Sequence, residues 1–448
     1  MTRADLVVRN GRVVLDDLMF QGGVAAAGGV VVAIGDDRAL PDATETIDAG
    51  GDYVIPGVID THVHFREPGL PRHEDFETGS TAAVMGGVTA VFEMPNTIPP
   101  TSTGALVEEK RSIVTPKSYV DFGLFGIVGQ ENLDEIGGMA EAGVIGYKLY
   151  LHQAIEGISP CDDGALLEAF ERIAATGLRA AVHAENPHIY PRRAQALRSA
   201  GRHDAVANLE ARPSISEYDM VERCISFARS AGTRLHVCHV TSKESLEAIR
   251  SAKRMGGDIT AETGPQWLWF TDEETRRKGT VLMFSPPFRS SDDRDALWEG
   301  LRDGTIDNIA TDHAPRLSEE KIAESVWDVK SGFIGVETQL PLLFTAVLEG
   351  RLDASRYVAL TSRDPARAYG VWPRKGSLLP GSDADITIVR PGDPWEIRHE
   401  NLHSRARVTP FEGASVSCRV RCTIVRGRVV MRDGALVGGP RGRDVRVT

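Results

Sequence analysis

The chain has 448 residues, 42% of them hydrophobic and 25% charged, with 45 Gly and 24 Pro, proportions that exclude a collagenous or grossly disordered protein. Lys and Arg number 51 against 63 Asp and Glu, a net charge of −12, and no basic block is long enough to track a phosphate backbone, so nucleic acid is not an expected partner. Cys161, Cys224, Cys238, Cys418 and Cys422 are scattered and read as free buried thiols. The charged start and the lack of about 18 consecutive apolar residues argue against a signal peptide or a membrane partner, so a cytoplasmic protein is expected.

In chain order, residues 5–15 alternate short β-rich runs around Asn10-Gly11, which reads as a hairpin turn, and 29–35 continues in the same style. Then the pattern changes. Apolar β-rich runs at 57–64, 90–94, 120–128, 145–151, 178–183, 235–240, 258–262 and 308–312 alternate with helix-like periodic segments. Parallel strands buried on both faces need such runs, and the helices supply the crossovers, so the α/β fold class expected over 57–375 is a (β/α)8 TIM barrel. An open doubly wound sheet is the alternative, but no Gly-x-Gly-x-x-Gly follows the first strand. The tail returns to short strands at 383–389, 420–425, 426–430 and 434–437. Residues 1–56 and 376–448 are therefore expected to build one composite β-sandwich domain, since either end alone would leave edges uncovered.

Polar residues collect where the barrel strands end: Asp60, His62 and His64, then Asn96, Lys148, His183, His239 and Asp312. A barrel brings its C-terminal strand ends to one mouth. His62 and His64, two apart on a strand, point to one face and can bind an ion together. Four imidazoles and a carboxylate suit Zn²⁺, or another nitrogen-accepting divalent metal, better than Mg²⁺ or Ca²⁺. The ligand count exceeds one tetrahedral site, and Lys148 sits among apolar neighbours at the same mouth. A buried ammonium beside two dications is costly, whereas a lysine carbamate is an anion with two oxygens fit to bridge two metals.

The words Asp60-Thr-His-Val-His-Phe-Arg-Glu-Pro-Gly69, Glu93-Met-Pro-Asn-Thr97, Gly146-Tyr-Lys-Leu-Tyr-Leu151, His183-Ala-Glu-Asn186, His236-Val-Cys-His-Val-Thr241, Ala310-Thr-Asp-His-Ala-Pro315 and Thr409-Pro-Phe-Glu-Gly413 resemble the cyclic amidohydrolases, most closely dihydroorotase, with allantoinase and hydantoinase/dihydropyrimidinase as neighbours. The resemblance implies metal ligation by His62, His64, carboxylated Lys148, His183, His239 and Asp312, with two zinc ions per chain bridged at Lys148. It implies Arg66 and Asn96 as holders of the substrate's carboxylate or carbonyl groups, and Asp312 as the proton carrier. It also implies ring-opening hydrolysis of a small cyclic amide with an anionic group, L-dihydroorotate giving N-carbamoyl-L-aspartate in pyrimidine metabolism, and a homodimer or tetramer. Allantoin or hydantoin hydrolysis is the enzymatic alternative, and a catalytically silent scaffold is the alternative of another class.

Three departures bear on the substrate. Glu262-Thr-Gly-Pro-Gln-Trp-Leu-Trp269 replaces the family's Cys-Pro-His or Cys-Pro-Gln, Arg316 stands where dihydroorotases usually have a histidine, and Gln153 occupies the dihydropyrimidinases' tyrosine position. Arg316 can still grip an anion, and His152 is a candidate for the same pocket. Ser285-Pro-Pro-Phe-Arg289 resembles the family's substrate loop. Trp267 and Trp269 either wall the pocket or fill core, and His236 reads as packing. Asp162-Asp163, Asp292-Asp293 and Glu319-Glu320 read as solvated helix starts.

Overall fold

The computed structural model describes residues 3–15 and 17–447. Eight short strands, Val58–Val63, Val88–Glu93, Asp121–Ile127, Gly146–Tyr150, Arg179–His183, Arg234–Val237, Ile259–Thr263 and Asn308–Ile309, pair in sequence order, each parallel to the next. Nearly every residue in them is buried, as strands packed inside a barrel and under helices must be. The first and last strands meet: Val63 bridges His313, and the His64 N–H donates to the His313 carbonyl at 2.8 Å. The result is a nearly closed (β/α)8 barrel, in place of the open-sheet alternative.

The surrounding helices start where side chains can satisfy their first N–H groups. Asp75, Thr103, Asp162, Ser242 and Ser290 cap Phe76–Met85, Gly104–Val114, Asp163–Thr176, Lys243–Arg254 and Ser291–Asp303. Lys243–Arg254 shows the packing rule plainly: Leu246, Ile249 and Ala252 are buried one turn apart while its charged residues face outward. Asp293 starts its helix but is buried in a capping box with Ser290 and not solvated as expected, and Glu319 and Glu320 start no α-helix. They lie in a single 3-10 turn, and Glu320 pairs with His73 at 2.9 Å.

Both ends of the chain share one β domain. Tyr53–Pro56 pairs parallel with Ala4–Val14 on one side and antiparallel with Ile386–Glu396 on the other, so Leu6, Val8, Val24 and Val54 share a core with Ile386, Ile388 and Ile424. Asn10-Gly11 is a bulge and not the expected hairpin turn. Asn10 takes a left-handed φ of 56°, the strand runs on through it, and a Cβ on Gly11 would meet Val54 Cγ2 at 2.4 Å. Among the described residues no helix is long and apolar enough to cross a membrane, and the five cysteines are free and buried.

The β domain is fixed to the barrel by a buried cation. Lys375 Nζ lies 2.5 Å from Asp121, at the start of the third barrel strand, and 2.8 and 2.7 Å from Asp383 and Asp385, which precede Ile386–Glu396. Replacing Lys375 by Met leaves these carboxylates facing one another, which is expected to cost about 3–5 kcal/mol. Urea denaturation of the variant checks this, and an unchanged midpoint would exclude the fastening role.

Candidate active site

The chemistry-bearing side chains stand on backbone that the barrel holds in place. His62 and His64 alternate around Val63, with ring centroids 5.2 Å apart, and His183 ends the fifth strand in register with Tyr150 of the fourth. Arg66, His239 and Asp312 have φ of 63°, 37° and 47°, a region that costs a non-glycine residue about 1–3 kcal/mol and persists where the surroundings enforce it. Here they do. Thr311, next to Asp312, donates its N–H and hydroxyl to Asp60 at 3.1 and 2.5 Å, and Val240, next to His239, donates to the Glu262 carbonyl at 2.8 Å. The turn at Asp312 also ends the eighth strand at Ile309, earlier than its apolar run suggests.

Carboxylates and an amide orient the rings from behind. His62 Nδ1 lies 2.5 Å from Glu262, whose other oxygen meets His236 Nε2 at 3.0 Å. His64 Nδ1 lies 2.6 Å from Asn96 Oδ1, and His183 Nε2 lies 2.8 Å from Glu185, itself paired with Arg212 at 2.5 Å. The Nε2 atoms of His62 and His64 both turn toward Asp312 Oδ1, at 3.4 and 2.9 Å. Burial holds His62 below the usual imidazole range, and His64, His183 and His239 well below it, which favours the neutral rings. Burial pushes the Asp312 carboxyl up to about 6. Burial also works against the Glu262 carboxylate, but the His62 and His236 rings outweigh it and hold the group well below its usual range.

Every residue singled out from the sequence as a ligand or substrate contact lines one cavity of about 110 Å³: His62, His64, Arg66, Asn96, Lys148, His183, His239, Ser285, Asp312 and Arg316. His152 and Gln153 join them. His152 stacks on His183 with centroids 3.7 Å apart and planes 22° from parallel. Trp267 fills core behind His239, and Trp269 packs against Trp298 and Phe411; neither lines the cavity. In the departure on the seventh strand, Gln266 donates to the Thr311 carbonyl at 2.9 Å and braces the residue before Asp312. His236 is buried beneath the site between Thr260 and Glu262.

Sequence reasoning missed Tyr150 and the supporting roles of Glu262 and Glu185. Tyr150 was accessible to it: two residues beyond Lys148 on a strand, it shares that residue's face and lines the cavity. Glu185, two residues after His183, was likewise within reach of spacing, whereas Glu262 was not, because it lies 200 residues from the His62 ring it supports.

The donors fit a divalent metal that accepts nitrogen. Ligand atoms of His62, His239 and Asp312 lie within 4.8 Å of one another, as do those of His62, Cys238 and Glu262. Glu262, Asn96 and Glu185 supply the outer hydrogen bonds that metal-binding imidazoles ordinarily make. A third acidic group, Asp121, Asp383 and Asp385, is filled by Lys375 and is structural. Lys148 is fully buried; among the described residues it forms no ion pair, and its Nζ contacts Cys238 Sγ at 2.9 Å.

Residues 53–430 match the model of the amidohydrolase family. The L-hydantoinase of Paenarthrobacter aurescens is 36% identical over 97% of this chain and 96% of its own. The allantoinase of Deinococcus radiodurans is 34% identical over 99% and 98%, and the dihydroorotase of Geobacter sp. (strain M21) is 34% identical over 96% and 100%. Among solved structures, the L-hydantoinase (dihydropyrimidinase) from Arthrobacter aurescens superposes with a TM-score of 0.96 at 35% identity, covering 99% of this chain and all of that one.

Glu262 holds His62, His236 and Thr61 at once. The Glu262→Gln variant is expected to bind zinc about 10–100-fold more weakly, measured by titration against a competing chelator. Undiminished affinity would show that His62 needs no such partner.

Proposed function

We propose that this chain, which belongs to the amidohydrolase family, opens the ring of a small cyclic amide carrying an anionic group, with L-dihydroorotate, hydrolysed reversibly to N-carbamoyl-L-aspartate, as its substrate. The observation that carries the anionic group is a pair of guanidiniums in one small cavity. Arg66 is 4% exposed, its Nε has no protein partner, and burial together with the Arg316 charge brings it down to about 9. Two cations crowded in this way are best satisfied by a ligand carboxylate, for which guanidinium geometry is suited.

His62, His64, His183, His239, Asp312 and Lys148, the last as its N6-carboxylated form, would hold two zinc ions. Carboxylation requires the ammonium first to lose a proton; the neutral amine nitrogen then bonds to the carbon of carbon dioxide and loses a second proton, so that two protons leave in all and a side chain with no ion-pair partner among the described residues becomes an anion with two donor oxygens. When bound, the metals supply Lewis acidity to the ring carbonyl and to the attacking water. Asp312, whose carboxylate faces the His62 and His64 rings in the cavity, takes a proton from that water and returns it to the departing ring nitrogen, acting as base and then as acid in one turnover. Asn96 keeps its oxygen on His64 and leaves its amide N–H groups for the substrate. Ser285, whose hydroxyl lies 3.1 Å from that of Ser331, stands at the cavity wall to meet the ring amide. Burial of these groups keeps bulk water from the proton transfer.

A second reading, a hydantoin or allantoin ring, is favoured by the relatives that carry those names. A silent scaffold is disfavoured because His62, His64, Lys148, His183, His239 and Asp312 are all present in the chain and line one cavity. Spectrophotometric assays of the zinc-loaded, bicarbonate-supplied protein separate the readings: kcat/KM is expected to be highest for L-dihydroorotate, and a higher value for unsubstituted hydantoin would overturn the anionic assignment. Asp312→Asn is expected to lower kcat by about 10²–10⁴-fold. Lys148→Ala is expected to lose both activity and bound metal, and metal analysis showing full occupancy in that variant would remove Lys148 as a ligand.

A further inference from the structure

Hydrogen bonding in the cavity is incomplete in a patterned way. Besides Arg66 Nε, the hydroxyl of Tyr150 and Nδ1 of His152 are buried without a protein partner. These residues are 8% and 9% exposed, both line the cavity, and their rings lie 6.4 Å apart. Tyr150 ends the fourth barrel strand and His152 follows two residues on, so the stretch that carries Lys148 leads directly into both. Each is fixed from behind: Tyr150 by its strand pairing with His183, and His152 by stacking on the His183 ring. The apolar lining is limited to Ile155, Phe284 and Ala314.

Buried donors and acceptors held in place without partners discriminate strongly. A ligand that pairs them is accepted, while one that covers them with hydrocarbon leaves them desolvated and is rejected, by as much as about 10⁴–10⁵-fold where a site is built to hydrogen-bond its substrate. We propose that Tyr150 and His152 form a polar wall that reads the ring substituent, admitting cyclic amides with a carboxylate or ureido group there and rejecting those with an alkyl or aryl group. This rests on the ring-opening reading above and deepens it. It is separate from the arginine pair, because a neutral ureido group has donors and acceptors but no charge for Arg66 or Arg316 to hold.

The test compares two neutral five-membered rings, allantoin and 5-isobutylhydantoin, on the zinc-loaded protein, with L-dihydroorotate as a third substrate. The wild type is expected to prefer allantoin to 5-isobutylhydantoin by about 100-fold or more in kcat/KM, and a Tyr150→Phe, His152→Phe double variant, which keeps both rings, to lose at least about ten-fold of that preference, mainly through KM. Calorimetric binding of N-carbamoyl-L-asparagine and N-carbamoyl-L-leucine to both proteins reads the same preference where turnover is slow. A preference unchanged within about two-fold in both measurements overturns the polar wall alone. A wild type that opens none of the three rings overturns the ring-opening reading and the wall with it.

Discussion

The site depends on the barrel closing at its seam. The first strand carries Asp60 and His62 and runs into His64, the eighth ends at Ile309 and is followed by Thr311 and Asp312, and little regular pairing joins them: one backbone hydrogen bond from His64 to His313, the Asn308 amide donating to the Thr61 hydroxyl, and the Asp60 carboxylate gripping Thr311. Burial pushes Asp60 up to about 7, against the hydrogen bonds from Thr311 and His62 that favour its charge. A group kept in so dry a place by two hydrogen bonds to Thr311, about 250 residues away, is there to fix a distance. That distance sets His64 against Asp312, and so the spacing of every donor that faces them.

The barrel was legible because its signal is local and repeated. Each strand is a short apolar run, most of them with a polar residue at or near the end, and eight repeats exclude most other arrangements. Asn10-Gly11 misled because the dipeptide that favours a hairpin also favours a left-handed bulge, and only the approach of Val54 to Gly11 selects between them. Trp267 and Trp269 could not be placed from sequence, since an aromatic beside a site and one beneath it have the same neighbours in the chain. Glu320 was read as a solvated helix start because its partner, His73, lies 247 residues away.

The site itself was legible in its inner ring and opaque behind it. Histidines at strand ends announce themselves by position, while Glu262 behind them follows from three-dimensional placement alone. Glu262 serves His62 and His236 together, and Gln266 holds the carbonyl of Thr311. Gln266, in the altered motif after the seventh strand, braces Thr311 and does not line the cavity. The left-handed backbone at Arg66, His239 and Asp312 makes the same point energetically, since three strained positions at one mouth are stable only on a scaffold that resists relaxing them.

The composite β domain has a consequence for how the molecule comes into being. Tyr53–Pro56 emerges from the ribosome with one edge satisfied by Ala4–Val14 and the other waiting for Ile386–Glu396, more than three hundred residues later. Through most of synthesis the amino-terminal sheet therefore presents an open edge, the kind of surface that recruits stray strands. All eight barrel strands are translated in that interval, and only the last part of the chain to be translated covers that edge.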